Sequence, residues 1–295
     1  MARVIAADGM DASALEELKK HFGSVSVKPA DLGPELADAE ILIVRSKTKV
    51  TAELLSRAPK LKIVARGGVG LDNVDADACA KRGITVFNTP DASTIAVAEF
   101  AVAMIFSLLR HVPYAHSCTK AGRWEKNAIL GHELYGKTVG IVGFGRIGSS
   151  VADRLRPFGC RIITYSLEFL KNPGETEVVP LDELLRRSDI ITLHVPLTPE
   201  TKGMINAERI SMMKQGALLV NTARGELIDE EALYGALKDK RIAGAALDVY
   251  PTEPYAGKLC SLDNVVLTPH IAGSTAEAQA RIGSTLVEKL KEMSP

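Results

Sequence analysis

The chain has 295 residues, enough for about two domains of ordinary size. Apolar residues make up 46% and charged residues 24%, which excludes a largely disordered chain. Thirty-six basic side chains cancel thirty-six acidic ones, so the basic excess usual for a nucleic-acid binder is missing.

The first ten residues, MARVIAADGM, carry one Arg and a short apolar run before Asp8, and read as a first strand rather than a secretory signal. Runs rich in Val and Ile predict strands over Val4–Ala7, Ile41–Arg45, Ile63–Arg66 and Ile84–Phe87. Amphipathic stretches at Asp11–Phe22, Ala52–Arg57 and Asp75–Lys81 predict the helices between them. Ala92–Arg110 is a long helical run without a polar face, expected to be buried between domains or subunits. Its apolar part, Ile95–Leu109, contains Glu99 and is shorter than the roughly 20 residues a bilayer needs, so no membrane partner is expected.

A second series then begins. Strands are predicted over Thr138–Val142, Arg161–Tyr165, Ile190–His194, Ala217–Asn221, Ala243–Asp248 and Val265–Thr268, with helices at Arg146–Phe158, Leu181–Arg187 and Glu230–Lys238. Strand–helix alternation that starts twice, near residues 1 and 138, predicts an α/β fold of two doubly wound, parallel-sheet, Rossmann-like domains. Periodicity alone leaves open whether the last helix, from about Ser274 to Glu292, stays on the second domain or crosses back to the first. Cys79, Cys118, Cys160 and Cys260 form no C-x-x-C pair; they read as thiols of a reducing compartment, the cytoplasm, with no metal site.

The chemistry concentrates in the second half. Gly143-Phe-Gly-Arg-Ile-Gly148 places G-x-G-x-x-G between an apolar strand and an amphipathic helix, the setting of a dinucleotide turn. Gly143 permits the tight turn, Gly145 lets a pyrophosphate approach, and Gly148 lets helix and strand pack; amides near Arg146 and Ile147 then meet the phosphates. The acid expected to hold the ribose at the end of the next strand is replaced by Ser166, with Glu168 the nearest carboxylate and Lys171 the nearest cation. NAD is the expected cofactor, and NADP stays open because Ser166 would not repel a 2′-phosphate.

Three further residues follow predicted strand ends: Arg224, Glu253 and His270. Ligands of open α/β sheets bind outside that edge. An Arg fork grips a carboxylate, a His moves a proton near neutral pH, and a Glu beside the His supports it. Next to a nicotinamide, such a trio suits interconversion of a 2-hydroxy and a 2-oxo acid. His194 also ends a strand but has no Glu near it in sequence, and reads as pocket lining or structure.

These motifs, with His194-Val-Pro-Leu-Thr-Pro199, Asn221-Thr-Ala-Arg-Gly-Glu-Leu-Ile-Asp229, Ala245-Ala-Leu-Asp-Val249 and Thr268-Pro-His270, make the sequence resemble the D-isomer-specific 2-hydroxyacid dehydrogenase family over nearly its whole length. The resemblance implies that Arg224, Glu253 and His270 are catalytic. It also implies a dinucleotide site lined by Val69, Gly143, Gly145, Arg146, Ile147, Gly148, Ser166, His194, Val195, Pro196, Thr222, Ala223, Arg224, Asp248, His270 and Gly273. Val44-Arg-Ser-Lys-Thr-Lys-Val-Thr51, Ala65-Arg-Gly-Gly-Val-Gly-Leu-Asp-Asn-Val-Asp75, Asn88-Thr-Pro90 and Gly122-Arg-Trp-Glu125 are most similar to the family's phosphoglycerate dehydrogenase branch. That likeness implies substrate contacts from Arg45, Ser46, Arg66, Gly67, Gly68 and Val69, besides Arg224 and His270, with Arg45 and Arg66 on a phosphate and the Gly67–Gly70 turn on a carboxylate.

The family pattern further implies a discontinuous, flavodoxin-like substrate domain, residues 1–91 plus 274–295, and a dinucleotide domain, residues 92–273. It implies a homodimer joined through the latter, and a short form whose end at Pro295 omits a serine-binding regulatory domain. The expected reaction is NAD-dependent oxidation of 3-phospho-D-glycerate to 3-phosphonooxypyruvate, the first step toward serine. The alternatives are an NADPH-dependent glyoxylate or hydroxypyruvate reductase, another D-2-hydroxyacid dehydrogenase, or a dinucleotide-sensing binding module.

Overall fold

A computed structural model of the chain describes residues 2–28, 32–166 and 176–293. Its strands, in chain order, are β1 (Arg3–Ala6), β2 (Ser24–Val27), β3 (Ile41–Val44), β4 (Ile63–Arg66), β5 (Thr85–Asn88), β6 (Thr138–Val142), β7 (Arg161–Tyr165), β8 (Glu177–Val178), β9 (Ile190–Leu193), β10 (Leu218–Asn221), β11 (Gly244–Leu247) and β12 (Val265–Leu267). The helices are α1 (Ala12–Phe22), α2 (Gly33–Leu36), α3 (Ala52–Ser56), α4 (Ala76–Lys81), α5 (Thr94–Leu109), α6 (Val112–Lys120), α7 (Arg146–Leu155), α8 (Leu181–Arg187), α9 (Ala207–Met212), α10 (Glu230–Lys238) and α11 (Ala276–Met293). They form two compact units, Met1–Thr94 with Gly273–Pro295, and Ile95–Ala272.

The first unit is a parallel sheet of order β2-β1-β3-β4-β5. Alternation along β3 explains its layers: Ile41 and Ile43 join Ala14, Leu18 and Phe22 of α1 and Ile282, Leu286 and Leu290 of α11 on one face. Leu42 and Val44 meet Leu36, Leu55 and Cys79 on the other. Strands buried on both faces require this continuous apolar composition. Asp11 starts α1 by accepting the Ser13 and Ala14 N–H groups, and Gly23, at φ 72°, ends it. α11 lies against α1 so closely that a Cβ on Gly283 would meet Ala14 Cβ at 2.5 Å. The last helix therefore packs on the first sheet, the choice that periodicity left open.

The second unit is a seven-stranded parallel sheet, β12-β11-β10-β9-β6-β7-β8. One face is covered by α5 and α7, through Ala98, Ala101, Ile105, Val151 and Leu155. The other is covered by α8, α9 and α10, through Leu184, Ile210, Leu233 and Leu237. The predicted α/β class with two parallel sheets is the observed one. Edge strands β2 and β8 and helices α2, α6 and α9 were not predicted; β2 alternates Ser with Val, and no residue in it is fully buried. Among the described residues no single helix is long and apolar enough to cross a membrane.

Leu290 is wholly buried in the core beneath α11. Leu290→Ala is expected to destabilise the first unit by about 2–5 kcal/mol, read as a lower urea midpoint.

Candidate functional site

In the second sheet the strand order reverses between β6 and β9, because β6 leads on to β7 at one side while β9 begins the run to β12 at the other. Loops leaving β6 and β9 diverge there and open a crevice at the carboxyl edge. Gly143 turns the chain out of β6 at φ 95° and donates its N–H to Tyr165 O at 2.7 Å. A Cβ on it would strike His194 O at 2.7 Å and Val195 Cγ1 at 2.8 Å. A Cβ on Gly148 would lie 2.0 Å from Gly143 O, so helix and strand need that glycine to pack. Gly145 differs: no heavy atom lies within 4 Å of an added Cβ, and its φ is −75°. The chain's own packing therefore does not demand a glycine at this position, whereas the close approach of a phosphate does.

The first turn of α7 has no side-chain cap, the setting in which a helix start can meet an anion. Thr222, after β10, keeps a buried hydroxyl oxygen without a hydrogen bond to the described chain. Open space at Gly145, an uncapped helix start and an orphaned hydroxyl fit a dinucleotide. Ser166 directly follows Tyr165, the partner of Gly143, at the place a ribose-binding acid would take. Glu168 and Lys171 lie outside the described residues. His194 Nε2 meets Thr192 Oγ1 at 2.9 Å, and burial pushes its pKa down to about 3, so the ring is neutral near pH 7. Pro196 is fixed through its carbonyl, which accepts Thr201 Oγ1–H at 2.7 Å.

Arg224, Glu253 and His270 follow the adjacent strands β10, β11 and β12. The Arg224 turn is shaped by Asn221, whose side chain accepts Ala223 N–H at 3.0 Å and donates to Arg224 O at 2.7 Å. A Cβ on Gly225 would lie 2.1 Å from Tyr250 C, so that glycine lets the β10 loop nest on the β11 loop. Tyr250 Oη lies 3.0 Å from both Leu247 O and Thr268 O, tying the ends of β11 and β12 together. Glu253 Oε1 accepts Tyr250 N–H at 3.2 Å. His270 Nδ1 sits 2.9 Å from Glu253 Oε2 and 3.1 Å from Oε1, with both side chains partly open to solvent. That contact fixes Nδ1 as the proton-bearing nitrogen towards the acid and leaves Nε2 for a ligand. Asp248 is fully buried, and its carboxylate accepts bonds from the His270 turn.

In the first unit the order reverses between β1 and β3. Asp8, after β1, accepts Arg45 N–H at 2.6 Å, Thr48 N–H at 3.1 Å and Thr48 Oγ1–H at 2.6 Å. Asn73 closes the same loop by donating to Arg45 O and Thr48 O at 2.7 and 2.6 Å. Arg45 and Ser46 thus ride on a braced loop at the switch point. Gly68, at φ 140°, donates to Thr89 Oγ1 at 2.8 Å, and the Arg66 guanidinium fills the place a Cβ would occupy, 1.7 Å from its Nη1. A Cβ on Gly67 would lie 3.6 Å from Arg45 Cγ, which sets both arginines beside one glycine turn, and Asn88 holds Val69 O at 2.5 Å. Gly273 also belongs to this unit. Sequence reasoning missed Asp8, Asn73, Asn221, Gly225 and Tyr250. An Asp or Asn next to a strand end was a usable signal for Asp8 and Asn221; the close approach at Gly225 was not legible.

The model of one protein family, described as D-isomer specific 2-hydroxyacid dehydrogenase, NAD binding domain, matches residues 102–272, which takes in the glycine turn and all three loops. The chain belongs to the D-isomer-specific 2-hydroxyacid dehydrogenase family. It is 43% identical to the D-3-phosphoglycerate dehydrogenase of Methanocaldococcus jannaschii, over 99% of this chain and 57% of that one. It is 49% identical to the hydroxypyruvate reductase of Thermotoga maritima, over 86% of this chain and 85% of that one. Thus it spans little more than half the length of the phosphoglycerate dehydrogenases it matches. The solved D-lactate dehydrogenase of Aquifex aeolicus, complexed with NAD and lactic acid, superposes with a TM-score of 0.88 at 36% identity, covering 99% of this chain and 95% of that one.

The glycines give a test that separates folding from binding. Gly148→Ala is expected to destabilise the second unit by about 1–3 kcal/mol through overpacking. Gly145→Ala should shift the urea midpoint little and weaken dinucleotide binding about tenfold or more, some 1.4 kcal/mol, by fluorescence titration.

Proposed function

We propose that this chain is an NAD-dependent D-2-hydroxyacid dehydrogenase that oxidises 3-phospho-D-glycerate to 3-phosphonooxypyruvate, the first step toward serine. The observation that carries the reading is the His270–Glu253 pair, 2.9 Å apart at the sheet edge that also bears Arg224 and the glycine turn. Arg224 would grip the substrate carboxylate with its planar fork. His270 Nε2 would take the hydroxyl proton, and Glu253 at Nδ1 would keep the ring oriented and support the imidazolium so formed. Gly143, Gly145, Arg146, Ile147 and Gly148 would hold the pyrophosphate of NAD, with Ser166 at the ribose and Thr222, Val195 and Pro196 lining the crevice. When bound, NAD supplies the ring that accepts the hydride. Arg45 and Arg66, beside the Gly67–Gly68 turn, are assigned to the substrate phosphate, and two strand-end guanidinium groups with a turn of amides suit an anion.

Curated relatives named D-3-phosphoglycerate dehydrogenase support this substrate. The hydroxypyruvate reductase relative and Ser166 favour the second reading, a reductase of unphosphorylated 2-oxo acids that also accepts NADPH. A homodimer is the assembly we assign, because Trp124, Leu130 and Tyr135 of the second unit leave 82%, 83% and 77% of their surface exposed. The free cysteines suit the cytoplasm.

NADH and NADPH, each titrated against phosphonooxypyruvate, hydroxypyruvate and glyoxylate, rank the two readings. Under the first, NADH with the phosphorylated acid gives the highest kcat/KM, and Arg45→Ala raises KM for that acid about tenfold more than for hydroxypyruvate. Equal effects on both acids would remove the phosphate role. His270→Asn should lower kcat by about 10²–10⁴-fold while dinucleotide affinity is retained.

A further inference from the structure

Glu253 sits in a loop that the sheet itself does not hold. Positions 251–254 are all exposed, and Pro251 and Pro254 have no N–H to donate. Among the described residues, none of positions 251–256 makes a backbone–backbone hydrogen bond. A loop so free would lose conformational entropy each time its carboxylate met His270. Two tyrosines close it instead. Tyr250 and Tyr255, on either side of the four residues, stack with ring centroids 4.2 Å apart and planes 15° from parallel. Tyr250 is buried. Tyr255 has moorings of its own: its Oη–H donates to Glu230 Oε1 at 2.9 Å, at the start of α10, and its oxygen accepts Leu259 N–H at 3.3 Å. Gly257 makes room for the ring, since a Cβ there would lie 2.4 Å from Tyr255 Oη and 2.5 Å from its Cζ.

We propose that Tyr255 is the positioning residue for Glu253: its ring, stacked on Tyr250 and moored to Glu230, closes the 251–254 loop and holds the carboxylate against His270. The reaction in which Glu253 acts rests on the function proposed above; the closed loop is read from its contacts. With the ring in place, Glu253 Oε1 lies 3.2 Å from Tyr250 N, and Oε2 lies 2.9 Å from His270 Nδ1. Without it, those contacts alone must order four exposed residues, and both side chains of the Glu253–His270 pair are partly open to water. Among the described residues no hydrogen bond or ring contact joins Tyr255 to His270, so Tyr255 acts through Glu253. Its two attachments are separable. Phenylalanine keeps the stack and loses the mooring, whereas alanine loses both. Gly257 offers a third route: its backbone is extended, with φ −87° and ψ −178°, so an alanine there is unstrained and acts by displacing the Tyr255 ring.

The test is a double-mutant cycle in the full chain between Tyr255→Ala and Glu253→Gln, with Tyr255→Phe and Gly257→Ala beside it. Three quantities are read: kcat with KM, dinucleotide affinity by fluorescence, and the Nδ1 proton of His270 by nitrogen-edited NMR of the protein without substrate. The closed loop predicts a kcat lower by about 10–30-fold in Tyr255→Ala, as for a displaced catalytic group, with KM and dinucleotide affinity within about threefold. Tyr255→Phe recovers most of this, to within about threefold of the unaltered chain, because the stack persists. In the Glu253→Gln background the same Tyr255→Ala change lowers kcat by less than about twofold, since the group it places is already gone. The His270 signal broadens or is lost in Tyr255→Ala. An equal loss of kcat in both backgrounds, or full kcat in Tyr255→Ala, overturns the proposal. Should Tyr255→Ala fail to fold, Gly257→Ala takes its place in the cycle, with the same outcomes. If Glu253→Gln itself keeps full turnover, the proposed reaction fails and the NMR signal alone decides the loop: broadened in Tyr255→Ala it supports the closure, unaltered it refutes it.

Discussion

Parallel pairing sends the carboxyl end of every strand to one edge of its sheet, and the candidate chemistry of the second unit depends on that constraint. Seven strands in register place the glycine turn after β6, His194 after β9 and the loops of Arg224, Glu253 and His270 after β10, β11 and β12 along a single rim. Neighbouring strands lie about 4.8 Å apart, so groups distant in sequence become neighbours without any helix having to carry them. The same geometry in the first unit sets Asp8 after β1 against the Arg45 loop after β3. The first unit has its braced Arg45 loop where its strand order reverses, and the second has its glycine turn there.

Apolar strands alone would not hold such loops still. The rim of the second sheet is fastened by buried polar side chains: Asn221 inside the Arg224 turn, Tyr250 between the ends of β11 and β12, and Asp248 around His270. Burying these groups is tolerable because each finds partners, and a satisfied polar network fixes one geometry where hydrocarbon would allow several. Gly225 contributes by absence, since any side chain there would push apart the loops that bear Arg224 and Glu253. Function-bearing groups remain partly exposed while the groups that place them are buried, which is the arrangement a preorganised site needs.

Much of this was legible in the residues, for physical reasons. Strands buried on both faces must be continuous runs of Val, Ile and Leu, so β3, β4, β6 and β9 announced themselves; β2 carries serines and β8 is two exposed residues, so neither gave a pattern. The glycine spacing marked Gly143, Gly145 and Gly148 together, and only the coordinates separate the two that packing demands from Gly145, where an added Cβ meets open space. Asp248 was expected beside the cofactor through family resemblance, whereas its hydrogen bonds to the His270 turn required coordinates, since they join residues more than 20 positions apart. Substrate identity is the least legible feature. It depends on where two arginine forks end, and no periodicity encodes that.

Under the proposed function the imidazole, its acid and the guanidinium act on one small molecule. A crystal structure of the protein with NADH and oxamate, an unreactive analogue of a 2-oxo acid, tests this most directly. The account predicts His270 Nε2 within about 3.2 Å of the analogue's carbonyl oxygen, with Arg224 on its carboxylate and the Glu253 contact intact. An analogue bound beside the reduced ring but touching neither His270 nor Arg224 would contradict it.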